Sequence, residues 1–225
     1  VILRWKVRKY KFLSSIANMN GKPVCVQPLL LEGNGIIYFG NNTSFGIYKS
    51  PYLLSGYGYI EARGKQAEIH FGENVAINNS CVITAEKKIT ISKNTVIGYN
   101  FHVSDSSFHN LAIDKRHETD PNPEEVFIDE NVFIGNNVTI GDDCLIHANV
   151  AIYDNAVIGN NVTIHSGTIL GADAFYYKKR PEGFDKLRSG GRVVIEDHVD
   201  LGASCTIDKG VTGDTTLKEG TKIDK

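Results

Sequence analysis

The sequence predicts an all-β chain wound into a three-sided solenoid of parallel strands, with a short N-terminal helix and two inserted loops. Three observations predict this fold. An aliphatic residue recurs at every sixth position through eight consecutive repeats, a small or β-branched residue follows each one four positions later, and Gly, Asn and Asp fill many of the positions between. Neither the 3.6-residue period of a helix nor simple alternation produces this spacing.

The six-residue repeat is clearest between residues 128 and 174. Its aliphatic positions are Ile128, Ile134, Ile140, Ile146, Ile152, Ile158, Ile164 and Leu170. Its small positions are Val132, Val138, Cys144, Val150, Ala156, Val162, Thr168 and Ala174. Each repeat suits a short strand with one inward aliphatic residue, followed by a turn in which Gly or Asn can take a positive φ. Three repeats make one triangular coil, and stacked coils pair as parallel strands about 4.8 Å apart.

The same spacing returns on both sides of this stretch, at Ile77, Ile83, Ile91, Ile97, Val103, Ile195, Leu201, Ile207, Leu217 and Ile223. We therefore assign residues 69–225 to the solenoid, residues 1–20 to an N-terminal helix or cap, and residues 21–68 to irregular opening coils. A β-sandwich of many short strands would explain the frequent turns, but it would not explain aliphatic residues at a strict period of six.

The composition excludes several classes of protein. Charged residues make up 22% of the 225 residues and the formal net charge is −2, which argues against disorder and against a nucleic-acid partner. No apolar run approaches the roughly 18 residues of a membrane span. The four cysteines form no CxxC pair, so spacing predicts no zinc site, and three of them occupy small inward positions as packing residues. We expect a cytoplasmic protein.

The repeat resembles that of the hexapeptide-repeat family over roughly residues 69–225. Members of that family fold as left-handed parallel β-helices, and most of them are acyl- or acetyltransferases. The resemblance therefore implies a left-handed solenoid, since spacing alone does not decide the handedness, and it implies an acyl-transfer activity.

Two interruptions of the repeat are the expected sites of chemistry, because a solenoid coil has no concave site of its own. Twenty-five residues separate Val103 from Ile128, and 25 separate Leu170 from Ile195, where the repeat needs six. We place inserted loops at 104–127 and 175–194. Counting strands in threes puts the two loops at different corners of the triangle, so that only neighbouring protomers could bring them together. A homotrimer is the expected assembly.

His109 is the main candidate for chemistry in the first loop, since a neutral imidazole can take a proton from a hydroxyl or amine that attacks a thioester. From composition alone, an ordinary exposed histidine is the alternative. The DSSFH stretch ending at His109, followed by the DKR ending at Arg116, resembles the polysaccharide O-acetyltransferase branch, a likeness that covers residues 69–143. That resemblance implies acetyl-CoA as the donor and His109 as the general base, with Asp105, Phe108 and Arg116 binding or orienting the substrate.

The second loop is basic and aromatic. Lys178, Lys179 and Arg180 could meet the phosphates of CoA, of a nucleotide sugar or of an acyl carrier protein. The preceding aromatic residues, Phe175, Tyr176 and Tyr177, could stack on a base or a sugar. A solvated surface loop without a ligand is the alternative.

Residues 144–225 resemble a different branch, the UDP-3-O-acyl-glucosamine N-acyltransferases of lipid A synthesis. The likeness is carried by CLIHANVAIYDNAVIGNNVTIHSGTILGADAF and by VVIEDHVDLGASCTIDKG. It implies transfer of an acyl group to a nucleotide-linked amino sugar. In that family the catalytic histidine follows a segment resembling KID, which would place it beyond Lys225. Residues 1–68 show no clear likeness to the uridine-binding domain of that family.

His147 and His165 lie 18 residues apart, each directly after an inward isoleucine, so they should stack on adjacent coils. Such a pair could bind a metal, as in the carbonic-anhydrase-like branch of the fold, but that branch needs a third histidine and acidic companions. We therefore expect a surface ladder of histidines and no metal.

The two ends of the chain carry further expectations. Residues 1–20 combine apolar residues with five basic ones, which fits either a helix that caps the first coil or one that touches anionic lipid at the inner face of the membrane. No signal-peptide pattern follows Val1. Ile223 stands in the middle of a repeat, and an uncovered strand edge invites aggregation, so we expect a continuation beyond Lys225 or a covering partner.

Three hypotheses for the function result. The first is acetyl-CoA-dependent transfer of an acetyl group to a sugar hydroxyl of a surface polysaccharide or its precursor, with His109 as the base. The second is N-acyl transfer to a nucleotide-linked amino sugar, with acyl-CoA or an acyl carrier protein as the donor. The third is a non-catalytic or metal-binding solenoid whose loops serve assembly.

Overall fold

The structure is a computed structural model that describes residues 2–110, 112–120 and 122–224. In these residues one helix, α1 (Ile2–Leu13), precedes a long series of short strands. All but two of the strands belong to three parallel sheets. The exceptions, β21 (Tyr177–Arg180) and β22 (Gly183–Lys186), form an antiparallel hairpin.

Each parallel sheet forms one side of a triangular solenoid and takes every third strand until the hairpin intervenes. Side 1 consists of β1 (Asn18–Asn20), β4 (Ile36–Phe39), β7 (Glu68–Phe71), β10 (Lys88–Ile91), β13 (Val126–Ile128), β16 (Leu145–Ile146), β19 (Thr163–Ile164), β24 (Asp200–Leu201) and β27 (Lys222–Ile223). Side 2 consists of β2 (Val24–Cys25), β5 (Ser44–Phe45), β8 (Ala76–Ile77), β11 (Val96–Ile97), β14 (Phe133–Ile134), β17 (Ala151–Ile152), β20 (Ile169–Asp173) and β25 (Thr206–Lys209). Side 3 consists of β3 (Leu29–Glu32), β6 (Gly58–Ala62), β9 (Val82–Ala85), β12 (His102–Ser104), β15 (Thr139–Ile140), β18 (Val157–Ile158), β23 (Val193–Ile195) and β26 (Thr215–Leu217). This is the left-handed parallel β-helix that the resemblance implied.

The six-residue repeat fills the core as predicted. In register, Ile128 pairs with Ile146 and Ile146 with Ile164, so identical side chains stack along the inside of side 1. The predicted packing cysteines, Cys81, Cys144 and Cys205, are buried. Burial raises the pKa of the Cys81 and Cys144 thiols to about 12, so neither is a thiolate near neutral pH.

Asparagines turn the chain at the corners. Asn42, Asn74, Asn94 and Asn131 all have φ near +60°, a conformation that few other residues adopt easily. Their side-chain amides form a ladder along the corner, in which each Nδ2 donates to the Oδ1 of the next asparagine at 3.1–3.2 Å. The ladder satisfies side chains that would otherwise compete with the backbone for hydrogen bonds.

The parallel sheets begin at Asn18, whereas the sequence predicted irregular coils over residues 21–68. The repeat is hidden there because aromatic residues take the inward positions, as where Phe39 stacks on Phe71 with ring centroids 5.3 Å apart. An additional insertion, residues 46–57, separates β5 from β6. The buried side-chain amides of Gln27 and Asn79 donate hydrogen bonds to backbone carbonyl oxygens of this insertion.

The two predicted loops leave the solenoid at different corners, as the count of strands predicted. The first loop joins β12 on side 3 to β13 on side 1, and it contains a short 3₁₀ turn at Ile113–Lys115. The second joins β20 on side 2 to β23 on side 3 and contains the hairpin. Leu111 and Pro121 of the first loop lie outside the described residues.

Helix α1 packs beside the first coil. The backbone N–H groups of Ser15 and Ile16, just after the helix, donate to the carbonyl oxygen of Leu31 in β3. Half-buried residues of α1 face the coil, and none of the helical residues is fully buried. No helix among the described residues combines the length and the apolar character that a bilayer crossing requires.

Candidate active site

The first loop is anchored at its base by Asp105. Its side chain is 0% exposed, and its Oδ1 and Oδ2 accept hydrogen bonds from the backbone N–H groups of Glu86 and Lys87 at 2.7 and 2.8 Å. Its carbonyl oxygen accepts from the N–H of Glu124, where the loop returns to the solenoid. Burial raises the pKa of this carboxyl, and the backbone N–H donors oppose that rise. Asp105 therefore holds the corner of the preceding coil.

The role that the sequence predicted for Asp105 requires correction. As a substrate-binding residue, or as a carboxylate that orients His109, it would have to face the loop surface. The buried side chain instead points into the corner, where its two oxygens accept hydrogen bonds from two backbone N–H groups of the preceding coil.

Ser106 and Asp120 tie the two ends of the loop together. The Ser106 hydroxyl lies 2.6 Å from Oε2 of Glu86 and 3.2 Å from Oδ2 of Asp120. The same Asp120 oxygen accepts from the backbone N–H of Ser107 at 3.0 Å. These bonds fix the backbone immediately before Phe108 and His109.

Phe108 lies on Arg63. The guanidinium carbon of Arg63 is 4.4 Å from the centroid of the Phe108 ring, a cation–π contact. Arg63 also donates to both carboxylate oxygens of Glu61 at 3.1 Å and lies 3.8 Å from Glu86. Phe108 has a φ of +60°, a turn conformation, immediately before His109.

Sequence reasoning missed Arg63 and Glu86, although the register could have found them. Because β6, β9 and β12 are paired strands of side 3, the residues that follow them meet at one corner. Those residues are Arg63, Glu86 and Asp105, and together they form the platform on which the first loop rests.

His109 is exposed at the surface of the first loop, and none of the described side chains forms a hydrogen bond or an ion pair with it. Arg116 ends the 3₁₀ turn in the same loop and is also exposed. The loop thus offers an imidazole and a guanidinium to solvent on an ordered base. Within the described part of the chain, no side chain holds either group as a complete catalytic centre would require.

The outer face of side 3 extends from this loop to a cavity at the opposite edge. Tyr59, Val82 and His102 lie side by side on successive strands, and the insertion at 46–57 borders the opposite edge. A cavity of about 460 Å³ there is lined by Ser55, Gly56, Tyr57, Tyr59, Ser80 and Val82. Partial burial lowers the pKa of His102, which favours the neutral imidazole. The neighbours of His102 on this face come from distant repeats, so the spacing in the sequence does not bring them together.

The basic residues of the second loop lie on strand β21 of the hairpin. Successive side chains of a strand point to opposite faces, so Lys178 and Arg180 share one face and Lys179 lies on the other. The compact cluster that the sequence predicted is therefore divided. Arg180 is further engaged by Asp185 at 2.9 Å, whereas Lys178 and Lys179 are exposed and form no ion pair with described residues.

The two loops stay apart within one protomer. They leave different corners, and the eight strands between them, about two and two-thirds coils, correspond to about 13 Å along the solenoid axis. No hydrogen bond or ion pair between described residues joins them.

His147 and His165 stack as predicted, with ring centroids 4.8 Å apart and an interplanar angle of 9°. Across the described part of the chain, no group of three or more His, Cys, Asp or Glu side chains is arranged to hold a metal ion.

Comparison with known proteins confirms the resemblance to hexapeptide-repeat transferases. The family model for the bacterial transferase hexapeptide (six repeats) matches residues 137–172. The UDP-3-O-acylglucosamine N-acyltransferase of Wolinella succinogenes is 46% identical over 83 residues, which are 36% of this chain and 26% of that protein. The enzyme of the same name from Sinorhizobium fredii is 50% identical over 83 residues, 36% of this chain and 23% of the relative. That from Agrobacterium fabrum is 49% identical over 59 residues, 26% of this chain and 17% of the relative.

The match thus spans about a quarter or less of the length of these curated relatives. The remainder of each relative lies outside the match.

Proposed function

We propose that this chain is an acyltransferase that moves an acyl group from a carrier thioester to the amine of a nucleotide-linked amino sugar. The observation that carries the proposal is the 46–50% identity over 83 residues to proteins named for that reaction. A parallel solenoid with loops inserted at its corners supports it, because such loops can supply polar groups around a substrate held against a rigid side.

His109 is the proposed general base among the described residues. Its imidazole would take the proton of the acceptor amine while the nitrogen attacks the thioester carbonyl. The new bond is C–N, the C–S bond breaks, and the proton passes through the imidazole to the departing thiolate. The anchors at Asp105 and Ser106 support this assignment, because they hold the backbone next to His109 at a fixed place on side 3.

The second loop is the proposed contact for the donor. Lys178 and Lys179 are exposed cations on the first strand of the hairpin. Beside them are the aromatic rings of Phe175 and Tyr177, whose centroids lie 4.9 Å apart. The two lysines suit the phosphate of a pantetheine arm or the acidic surface of an acyl carrier protein. Since the two loops do not meet within one protomer, we propose that the site forms between neighbours in a trimer.

O-acetylation is the second candidate. The DSSFH segment that ends at His109 favours it through its resemblance to polysaccharide O-acetyltransferases. In this reaction the attacking atom is a sugar hydroxyl and the donor is acetyl-CoA, while His109 has the same role. The names of the relatives favour the amine acceptor over the hydroxyl.

A donor and acceptor matrix tests the proposal. The chain is incubated with UDP-3-O-acylglucosamine, or with oligosaccharides that have free hydroxyls, and with an acyl-loaded carrier protein, acyl-CoA or acetyl-CoA. Mass spectrometry of the acceptor identifies the product. We expect an N-acylated nucleotide sugar with the long-chain donor. An O-acetylated sugar would instead support the second candidate, and the absence of product with every pair would contradict both.

Substitution of His109 tests the base separately. His109→Ala should lower kcat by about 10² to 10⁴-fold. The matched control is His117→Ala, which removes another exposed histidine of the same loop and should change kcat by less than about threefold. Undiminished turnover in His109→Ala would leave the acyl-transfer reaction in place and assign the base elsewhere.

A further inference from the structure

Helix α1 presents two different faces. Leu3, Lys6, Val7 and Tyr10 are half-buried, and their spacing of three and four residues places them together against the first coil. Trp5 and Phe12 are seven residues apart and lie on the opposite face, 60% and 88% exposed. A large aromatic pair that faces solvent gains nothing from the fold, so its surface is free to be buried against something else.

The charge of the helix is entirely positive. Arg4, Lys6, Arg8, Lys9 and Lys11 stand among its twelve residues, with no acidic residue. None of these five cations forms an ion pair with a described residue, and Lys9 lies 5.5 Å from the centroid of the Trp5 ring. The helix is therefore a cationic surface with exposed aromatic rings and no internal neutralisation.

The insertion at 46–57 extends this surface. It contacts α1 through the Lys6 Nζ group, which donates to the Leu54 carbonyl at 2.7 Å, and through the rings of Tyr10 and Tyr57, 4.9 Å apart. It has no acidic residue, and it exposes large apolar or aromatic side chains and one lysine: Ile47, Tyr48, Lys49, Tyr52, Leu54 and Tyr57. We call α1 together with this insertion the basic aromatic surface.

The whole chain is divided in charge along its length. Residues 1–60 contain seven Lys or Arg residues and one acid, Glu32, whereas the remainder contains 17 basic and 25 acidic residues. The basic end coincides with the basic aromatic surface. An anionic plane facing this end would attract it and repel the acidic remainder, which fixes the orientation of the solenoid.

We propose that the basic aromatic surface binds the anionic face of a lipid bilayer. Cations of a surface helix gain from anionic headgroups, and Trp and Phe side chains partition into the headgroup and acyl boundary. Nucleic acid would satisfy the cations but would leave Phe12 and Leu54 in water. A second copy of this surface would bring like charges together. An anionic lipid surface neutralises the cations and also buries the exposed apolar side chains.

Trp5 is the only tryptophan of the chain, so its fluorescence reports on this surface directly. The full chain is titrated with vesicles of phosphatidylcholine containing 30% phosphatidylglycerol, and with vesicles of phosphatidylcholine alone. We expect a blue shift of the emission maximum and quenching by brominated acyl chains with the anionic vesicles only. We also expect binding to weaken as salt is raised, because salt screens the headgroup charge.

Two variants that retain Trp5 test the separate contributions. Arg4→Gln, Arg8→Gln and Lys9→Gln together should weaken vesicle binding on the order of a hundredfold. Phe12→Ala should weaken it at least about tenfold. The matched control, Lys65→Gln, Lys115→Gln and Arg188→Gln, removes three exposed cations from other parts of the chain and should leave vesicle binding within about twofold.

Several results would overturn the proposal. One is an emission maximum that does not move with anionic vesicles, and another is equal weakening by the helix variant and by the matched control. A blue shift that depends on protein concentration without vesicles would assign the surface to self-association. Tighter binding to single-stranded DNA than to the vesicles would assign it to nucleic acid. Circular dichroism of each variant confirms that the solenoid is intact.

Discussion

Asp105 joins the first loop to the preceding coil through hydrogen bonds. Its two carboxylate oxygens accept from the backbone N–H groups of Glu86 and Lys87, and its carbonyl oxygen accepts from the N–H of Glu124. We expect Asp105→Ala to lower the free energy of unfolding by about 3 kcal/mol, because two backbone N–H donors lose the buried carboxylate that accepts from them. Urea denaturation followed by circular dichroism measures the change.

Asp114→Ala is the control for this prediction. Asp114 is an exposed residue of the same loop, and its removal should change the free energy of unfolding by less than about 0.5 kcal/mol. Equal losses in the two variants would show that the bonds of Asp105 contribute nothing specific to stability.

The raised pKa of Asp105 also predicts a pH dependence. The folded state holds the proton more tightly than the unfolded state, so the contribution of this group is fully present below the ordinary value of 3.8 and is lost as pH rises through the folded pKa. The stability of the wild type relative to Asp105→Asn should therefore fall as pH rises over that window. Unfolding free energies of the two proteins across the same pH series measure the difference. A relative stability of the wild type that increases with pH would contradict a raised pKa of Asp105.

At the scale of the elements, the period of six predicted most of the architecture. It identified the inward residues from Ile128 to Leu170, because each repeat needs one aliphatic side chain in the core. It also located the two loops, because an inserted segment breaks that spacing. It did not identify the strands over residues 21–68, because aromatic Phe39 and Phe45 replace the aliphatic residues at positions six apart and the insertion at 46–57 then interrupts the count.

The loops were located by counting, but their internal structure was beyond the sequence pattern. The first loop depends on Asp105 meeting Glu86, residues that adjoin only because β9 and β12 pair. In the second loop, the strand conformation of Tyr177–Arg180 depends on its antiparallel partner Gly183–Lys186. The six-residue repeat does not predict this pairing. The direction in which each charged side chain points therefore required the structure.

The hairpin of the second loop gives a prediction at this scale. Its residues are exposed. Its Lys186 forms an ion pair with Asp173, but Lys209 lies 2.9 Å from the same carboxylate, so Asp173 keeps a cationic partner when the hairpin is removed. We expect replacement of Tyr177–Lys186 by a short Gly-Ser turn to leave the thermal unfolding midpoint within about 4 °C. It should raise KM for the acyl donor at least about tenfold, because exposed cations are lost from the proposed contact.

Two assays separate these effects. Thermal unfolding followed by circular dichroism reports on the solenoid, and initial rates at varied donor concentration report on KM. A donor KM equal to that of the wild type would remove the hairpin from the proposed site while leaving the acyl-transfer reaction untouched.

At the scale of the whole molecule, a solenoid separates its loops in a way that a compact globule does not. Each coil contacts only its neighbours, so groups on different coils and different corners cannot converge inside one chain. A closed three-fold assembly removes that obstacle, because the corner of one protomer can face another corner of the next. We therefore expect a particle of three times the 24.8 kDa chain mass by light scattering at micromolar concentration.

Subunit mixing tests whether such an assembly also completes the site. One variant lacks the base, His109→Ala, and the other lacks the exposed hairpin cations, Lys178→Gln with Lys179→Gln. Rates are measured at a donor concentration well below the wild-type KM, where the raised KM of the second variant leaves it about a tenth or less of the wild-type rate. If each site combines the first loop of one protomer with the second loop of its neighbour, an equal mixture refolded together should recover about a quarter of the wild-type rate, the chance that both intact loops meet. Mixing folded trimers without refolding is the control and should give only the residual rate of the hairpin variant. A refolded mixture that stays inactive, although light scattering shows trimers, would place both loops in the site of a single chain or remove one of them from it.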